Sequence, residues 1–152
     1  MKYSKKLILL LIPFVIFACK KNEVDQAKID REIIRKYIAD SSLVADSTAS
    51  GLFYVIADSG IGANPVSTSS VLVYYKGYFT DGSIFDQNPA GLPKTFLLNA
   101  VIPGWTEGVP KIRKGGKIKL LIPSALGYGS NGYGGVPGNT VLIFDIELVN
   151  FQ

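Results

Sequence analysis

Aromatic side chains are the residues of this 152-residue chain with the clearest capacity to form a site. If the segments that carry them meet, their rings would line an apolar pocket, and tyrosine hydroxyls would add hydrogen-bond donors to it. The spacing alone fits an ordinary hydrophobic core equally well, so both interpretations stay open. The residues concerned each belong to a different segment of the chain: Tyr75, Phe85, Phe96, Trp105, Tyr128 and Phe144.

Catalysis by imidazole is excluded, because the chain contains no histidine. That removes Ser-His-Asp and Cys-His nucleophilic mechanisms and histidine-ligated metal sites. Asp145 and Glu147 share one face of a predicted strand, but two carboxylates without a cysteine or a third acid nearby are a weak ligand set. We therefore expect no metal and no cofactor, and we expect these two acids on the outer face of a sheet.

A glycine-rich segment at residues 127–132 matches the pattern G-x-G-x-x-G, which occurs in dinucleotide-binding proteins. Such a site needs a helix that begins directly after the glycines, because the helix N-terminus binds the pyrophosphate. Here residues 133–138 contain three further glycines and Pro137, which cannot form that helix. The segment therefore predicts a flexible loop that borders a site.

The net charge of +4 does not predict a nucleic-acid partner. Three of the 16 basic residues lie within the first six positions, and without them the basic residues exceed the 12 acidic residues by only one. A second group of basic residues lacks the interleaved aromatic side chains on which single-stranded bases stack. We expect that group to form a solvated face: Lys111, Arg113, Lys114, Lys117 and Lys119.

The N-terminus has the features of an export signal. Three lysines precede an apolar run at residues 7–18, which is shorter than the roughly 20 residues that a membrane-spanning helix needs. The run ends at Cys19, the only cysteine, and the segment resembles the lipobox of bacterial lipoproteins. The resemblance implies a signal peptide at residues 1–18, lipidation of Cys19 and an anchored protein of the bacterial cell envelope, periplasmic or surface-exposed. A buried free cysteine and ordinary signal-peptidase cleavage are the alternatives.

Residues 19–51 are expected to form a tether, a helix and a linker. Apolar residues recur on one face of a helix predicted at residues 24–39, and a polar run follows it. We expect this helix to act as a spacer or docking element without chemistry, and residues 20–50 to be dispensable for the fold. The predicted apolar face comprises Ile29, Ile33, Ile34, Tyr37 and Ile38.

Short strands separated by turns dominate residues 52–152. The Asp81-Gly82 pair predicts a tight antiparallel turn, and Pro110 is expected to end a brief helix at residues 104–109. Many short strands with one short helix predict an α+β fold with a curved antiparallel sheet. The predicted strands lie at residues 52–56, 71–76, 83–86, 95–98, 117–122 and 141–149.

Five sequence blocks occur in order across residues 52–152, and together they resemble the FKBP-type peptidyl-prolyl isomerases. The resemblance implies a five- to six-stranded antiparallel sheet wrapped around one short helix, with an apolar pocket between them. Residues 52–152 would then form an FKBP-like prolyl isomerase domain. The blocks are Val73-Tyr74-Tyr75-Lys76-Gly77, Asp81-Gly82 with Phe85-Asp86, Val101-Ile102-Pro103-Gly104-Trp105-Thr106-Glu107-Gly108, Gly127-Tyr128-Gly129 and Leu142-Ile143-Phe144-Asp145-Ile146-Glu147-Leu148.

The same resemblance implies a role for each site residue. The pocket walls would be Tyr75, Phe85, Val136 and Phe144. Trp105 would form the floor, and Val101 and Ile102 would border the substrate, with the Ile102 N–H as a donor to a substrate carbonyl. Tyr128 would offer its hydroxyl to the substrate, and Asp86 would lie at the rim near the prolyl amide. Phe96 resembles the second of two aromatics on its strand, and Lys94 replaces the first.

The activity that the resemblance implies is cis-trans isomerisation of X–Pro bonds in exported proteins, by a membrane-anchored folding helper. Its partners would be proline-containing polypeptides, the membrane through the lipid anchor, and FK506-like macrolides. Rotation about an amide breaks no covalent bond, so this reaction suits a chain without histidine. Two alternatives stay open: a non-catalytic FKBP-like module that binds proline-containing segments, and a structural envelope lipoprotein whose aromatic residues are only core.

Overall fold

The structure is a computed structural model that describes residues 25–89 and 91–152, so the expected signal peptide and Cys19 lie outside the described residues. Three short 3₁₀ turns, Leu98–Ala100, Val109–Lys111 and Ser124–Leu126, connect some of the elements. The helices and strands are α1 (Gln26–Asp40), β1 (Asp46–Ser47), β2 (Phe53–Asp58), β3 (Ser70–Tyr78), β4 (Ile84–Gln87), β5 (Lys94–Leu97), α2 (Pro103–Gly108), β6 (Lys117–Ile122) and β7 (Leu142–Phe151).

The strands form one antiparallel sheet in the order β1-β2-β6-β7-β3-β4, and β5 also pairs with β3. The predicted α+β class, an open antiparallel sheet with a short helix, is therefore confirmed. In the described residues the sheet has seven strands, because the two-residue β1 adds to its edge. Strands β4 and β5 pair with opposite ends of the same edge of β3, which aligns Asp86 and Phe96 along that edge.

Helix α2 packs closely against β6, and two glycines permit this approach. A Cβ atom on Gly104 would lie 2.7 Å from Ile122, and one on Gly108 would lie 2.5 Å from Leu120. A larger residue at either position would therefore force the Ile122 or Leu120 side chain, or the helix itself, to shift. Pro103 begins the helix, where its missing N–H costs no hydrogen bond. The close packing holds Trp105 in the main hydrophobic core between helix and sheet.

Helix α1 docks on the opposite face of the sheet with part of the predicted side, since Ile34, Tyr37 and Ile38 pack there. Ile34 is fully buried with Leu121 and Val141, whereas Ile29 and Ile33 are each 37% exposed. The second buried residue of the helix is Asp30, an acid that the apolar pattern did not include. The predicted face was thus wrong at Ile29 and Ile33, and it lacked Asp30, because apolar spacing cannot identify a buried carboxylate. The expectation that residues 20–50 are dispensable for the fold stays a prediction.

Charged side chains also lie on this outer face, where Asp145 and Glu147 were expected. Lys119 Nζ donates to Asp145 Oδ1 at 2.5 Å and also to the Tyr78 hydroxyl, and Lys117 Nζ lies 3.4 Å from Glu147 Oε2. Burial raises the pKa of the Tyr78 hydroxyl, and neighbouring Tyr37 and Asp145 add to the effect. None of the helices within the described residues is long and apolar enough to cross a membrane.

Candidate functional site: an aromatic pocket

A cavity of about 620 Å³ opens where α2, the neighbouring strands β3, β4, β5 and β7, and the loop after β6 meet. It brings together every sequence-predicted site residue except Phe85 and Val136. Three further residues also line the cavity, although the sequence analysis did not predict them as site residues: Lys94, Ala100 and Tyr133. The full lining comprises Tyr75, Asp86, Lys94, Phe96, Ala100, Val101, Ile102, Trp105, Tyr128, Tyr133 and Phe144.

Trp105 lies at the centre of the aromatic lining and is 4% exposed. Its ring meets Tyr75 and Phe96 edge to face, each at a centroid distance of 5.4 Å, and meets Phe144 in the same way at 5.2 Å. Such contacts are each worth about 0.5–1.5 kcal/mol beyond the area they bury. The Trp105 Nε1–H has no hydrogen-bond acceptor among the described residues. Packing alone therefore fixes the indole in place.

The segment before α2 presents a free backbone donor at the pocket border. Thr106 Oγ1 donates to the carbonyl of Leu98 at 2.5 Å, which ties the start of α2 to the preceding 3₁₀ turn and fixes the residues between them. Ile102 caps α2, and its carbonyl accepts the Trp105 N–H at 2.9 Å. No acceptor among the described residues takes the Ile102 N–H. This amide is thus available to a bound molecule.

Tyr75 and Asp86 form the polar part of the pocket wall. The Tyr75 hydroxyl donates to Asp86 Oδ2 at 2.9 Å, across the paired strands β3 and β4. Burial raises the pKa of Tyr75 to about 12, with further contributions from the hydrogen bond to Asp86 and from its charge. The Tyr75 hydroxyl therefore stays protonated, and it orients the Asp86 carboxylate, across the neutral pH range.

Tyr128 is half-buried, and no hydrogen-bond partner of its hydroxyl occurs within residues 25–89 and 91–152. Burial raises its pKa, and the charge of Asp86 and the nearby Tyr133 raise it further. The hydroxyl is thus a protonated donor with no internal acceptor. The ring of Tyr133 stacks on that of Tyr128 at a centroid distance of 5.5 Å, while Tyr133 itself is 73% exposed. Sequence reasoning missed Tyr133, although an aromatic residue in a glycine-rich loop was a visible signal.

Phe85 and Val136 do not line the cavity, in contrast to the expectation that they form pocket walls. The ring of Phe85 lies edge to face on Phe144 at 5.5 Å and packs against Phe79 on its other side at 5.0 Å. Val136 is 7% exposed and belongs to the main core. Phe85 is therefore a neighbour of the wall residue Phe144, and Val136 is part of the buried core.

Lys94 lines the cavity on β5. Its Nζ lies 5.1 Å from the centroid of the Phe96 ring, an arrangement in which the ring face attracts the cation. The aromatic residue that the resemblance implied here is thus replaced by an ammonium group that covers the next aromatic residue. The pocket consequently carries a positive charge at one wall and Asp86 at another.

A second, larger groove of about 880 Å³ lies on the outer face of the sheet. Its charges, however, are paired with one another, since Lys117 and Lys119 contact Glu147 and Asp145. Nowhere in the described residues do three Asp, Glu, His or Cys side chains come together in a way that could hold a metal ion. The aromatic pocket, with its free donors and buried floor, is therefore the stronger candidate site.

The pocket has room for a small apolar ring beside Trp105, and its lining includes two hydrogen-bond donors, the Tyr128 hydroxyl and the Ile102 N–H. Within the described residues it contains no paired nucleophile and base. Its chemistry is therefore confined to binding, desolvation and hydrogen bonding of an unreactive backbone segment. A prolyl residue, with its apolar ring and preceding carbonyl, has the required shape.

Comparisons with known proteins agree with this geometry. The family of FKBP-type peptidyl-prolyl cis-trans isomerases matches residues 62–149. The FKBP-type isomerase FkpA of Aeromonas hydrophila is 43% identical over 145 residues, which cover 90% of this chain and 54% of that protein. FkpA of Escherichia coli strain K12 is 42% identical over 134 residues, covering 88% of this chain and 49% of that protein. The chain thus spans about half the length of these curated relatives.

Solved structures show the same fold. The crystal structure of FkpA from Escherichia coli superposes with a TM-score of 0.75 at 40% identity, over 84% of this chain and 60% of that one. A peptidyl-prolyl cis-trans isomerase from Pseudomonas syringae gives a TM-score of 0.70 at 32% identity, over 83% of this chain and 96% of that one. The order of strands, the aromatic pocket and these matches agree, and the chain belongs to the FKBP-type peptidyl-prolyl cis-trans isomerase family.

Proposed function

We propose that this chain catalyses cis-trans isomerisation of X–Pro bonds in exported polypeptides. The observation that carries the proposal is the pocket in which Trp105 forms an apolar floor beside two unpaired donors, the Tyr128 hydroxyl and the Ile102 N–H. A prolyl ring on Trp105 would bring its preceding carbonyl towards those donors. Family membership implies that the chain binds proline-containing peptides.

The mechanism follows from the electronic structure of the amide. The barrier to rotation, about 18–20 kcal/mol, is the lost resonance between the nitrogen and the carbonyl. Resonance makes the planar ground state more polar than the twisted transition state, so an apolar pocket penalises the planar form more. Hydrogen bonds from the Tyr128 hydroxyl and the Ile102 N–H then hold the twisted conformer. No proton is transferred at any step.

Asp86 and Tyr75 support this environment from the wall. The Asp86 carboxylate accepts a hydrogen bond from Tyr75, which fixes its orientation, and its charge helps to keep Tyr75 and Tyr128 protonated. Hydroxyl groups that stay protonated remain donors, which is the state the mechanism needs.

The direct test measures exchange between the cis and trans NMR signals of an X–Pro tetrapeptide with the purified full-length chain. Acceleration above the uncatalysed rate, lost in Trp105→Ala but kept in the outer-face variant Glu147→Gln, is the expected result. A folded protein that binds the peptide without accelerating exchange would instead be a non-catalytic binding module. A folded protein that neither binds nor accelerates would support the structural lipoprotein interpretation.

We also propose that Cys19 is lipidated and anchors the domain in the bacterial cell envelope, where it would assist the folding of exported proteins. The support is the apolar run that ends at this single cysteine. Incorporation of labelled palmitate into the expressed chain, abolished in Cys19→Ala together with signal-peptide cleavage, is the expected outcome. Equal labelling of both proteins would reject the anchor.

An FK506-like macrolide is a second proposed ligand of the pocket, because its apolar ring system would compete for the same aromatic floor. Lys94, which replaces an expected aromatic residue, is the feature of the wall that would weaken this affinity. Competition between FK506 and an X–Pro peptide, measured by inhibition of NMR exchange, tests the proposal. Undiminished exchange at a saturating concentration of the macrolide would reject it.

A further inference from the structure

Helix α1 carries a buried carboxylate whose hydrogen bonds lead to the pocket. Asp30 is 1% exposed. Its Oδ2 accepts the N–H of Ser124 at 2.7 Å and the Ser124 hydroxyl at 2.6 Å, and its Oδ1 accepts from Gln26 Nε2 at 2.7 Å. Two of the three groups that donate to this carboxylate thus belong to one residue, Ser124, which lies 94 positions further along the chain.

Ser124 begins the 3₁₀ turn Ser124–Leu126, which leads directly into the Tyr128 loop. The first N–H of such a turn has no acceptor within the turn itself, so it needs one from elsewhere. Asp30 supplies that acceptor from another element of the fold. On its other side, the Ser124 carbonyl accepts the N–H of Gly127 at 3.0 Å and of Gly129 at 2.8 Å, the two residues that flank Tyr128.

Docking of α1 does not by itself require this carboxylate. Ile34 already buries the helix against Leu121 and Val141. A buried carboxylate is costly unless its oxygens are hydrogen-bonded, and an apolar side chain at this position would avoid that cost. The bonds that compensate it converge on Ser124. What the carboxylate adds to an apolar contact is therefore a fixed position for the turn that precedes Tyr128.

We propose that Asp30 is a positioning residue: through Ser124 it fixes the loop that places the Tyr128 hydroxyl at the pocket. The effect on turnover rests on the proposed isomerase function, whereas the effect on the loop does not. A helix that lies outside the sequence blocks that carry the resemblance would thereby contribute to the site, and its undocking would release Tyr128 without any change in the pocket walls.

The loop itself is tested by amide hydrogen exchange of the full-length chain, measured by NMR. Because local opening exposes only the amides it releases, Asp30→Ala should speed exchange at Gly127 and Gly129 by about tenfold or more, with little change in β6 and β7. In Asp30→Asn, the side-chain oxygen can still accept both Ser124 donors, and the Gln26 amide can rotate to accept from the new NH₂ group. In Asp30→Asn, the amides of Gly127 and Gly129 should therefore exchange at close to the wild-type rate.

Catalysis is tested by a double-mutant cycle with Tyr128→Ala. Asp30→Ala should lower kcat/KM about two- to tenfold in the wild-type background, comparable to the loss of one hydrogen bond. In the Tyr128→Ala background the same change should cost less than about twofold, because residues that act through one another are not additive. A role in general stability would instead give equal factors in both backgrounds.

Ile34→Val is the matched control, since Ile34 is buried on the same helix, where it packs with Leu121 and Val141. It should lower the melting temperature and leave loop exchange and kcat/KM unchanged.

If Asp30→Ala does not fold, Ser124→Ala replaces it, because this variant removes the hydroxyl donor and keeps the backbone N–H. Unchanged exchange at Gly127 and Gly129 in the folded variant, or equal factors across the cycle, would overturn the proposal. If the wild-type chain does not accelerate X–Pro rotation, the proposed function fails and the exchange measurement alone decides the positioning role.

Discussion

The Tyr75 hydroxyl donates to Asp86 Oδ2 at 2.9 Å, and this contact joins the two strands that form the polar wall of the pocket. Tyr75 is also buried, and its ring packs edge to face on Trp105 at 5.4 Å. One side chain therefore links the charged rim to the apolar floor. Deprotonation of the Tyr75 hydroxyl should therefore affect both the rim and the floor of the pocket.

Alkaline pH provides the first test of this link. Tyr75 has a pKa of about 12 in the folded chain and 10.0 when unperturbed. Since the folded pKa is raised, the stability that Tyr75 contributes is fully present below pH 10 and is lost as the pH rises through about 12. The difference in urea midpoint between wild type and Tyr75→Phe should thus shrink across that window. Tyr78, whose pKa is also raised, should leave a residual pH dependence in the variant. A constant difference would contradict the prediction.

Tyr128→Phe removes only a hydroxyl that has no internal partner in the described residues. We expect kcat/KM on an X–Pro peptide to fall about two- to tenfold, the equivalent of one hydrogen bond of about 0.5–1.5 kcal/mol. The melting temperature should be almost unchanged, because no internal bond is lost. Glu147→Gln, on the outer face beside Lys117, is the control and should alter neither quantity. A fall in stability that matches the fall in rate would assign the hydroxyl a structural role.

The pH profile of the reaction should be flat between about pH 6 and about pH 9. The chain has no histidine, whose ordinary pKa lies in this range, and the pKa of Tyr128 is raised by burial and by Asp86. The donor thus keeps its proton throughout. Values of kcat/KM measured at constant ionic strength check the prediction. A bell-shaped profile would indicate proton transfer, which the proposed mechanism does not contain.

Sequence patterns predicted the fold well where local chemistry decides it. The Asp81-Gly82 turn joins β3 and β4 as expected, and β6 has the predicted bounds at Lys117–Ile122. The helix at Trp105 begins at Pro103, one residue before the predicted start. Strand β1 was missed, since Asp46 and Ser47 have poor strand propensity and pair only because β2 offers an open edge.

The site was less accessible from sequence, because it depends on which elements become neighbours. Strands β4 and β5 share one edge of β3, and this arrangement brings Asp86 and Phe96 to the same pocket. Residue spacing in the sequence does not predict this pairing of strands. The family resemblance predicted the shared pocket instead. Asp30 had no such support, since a buried acid and an exposed acid on a helix look the same in a sequence.

Trp105→Ala should remove the floor of the pocket. A large aromatic truncated in a core costs about 3–5 kcal/mol of unfolding free energy, so the variant should unfold at much lower urea concentration and lose most of its kcat/KM. Phe85 provides the contrast, because it packs on Phe144 without lining the cavity. Phe85→Ala should lower stability substantially and keep a larger share of the activity, measured well below its melting temperature. Equal loss of activity in the two variants would show that Phe85 contacts substrate.

Lys94 should give the pocket a preference for acidic substrates. Its ammonium group lies over Phe96 at the cavity wall, where it can attract a carboxylate and repel a cation on the residue next to proline. An exposed ion pair is worth about 0.2–1 kcal/mol. The ratio of kcat/KM for a Glu–Pro peptide to that for a Lys–Pro peptide should therefore fall about two- to fivefold in Lys94→Gln, and the effect should weaken in high salt. Lys117→Gln removes the same charge from the outer face and should leave the ratio unchanged. If both variants shift the ratio equally, net charge and not the pocket wall is responsible.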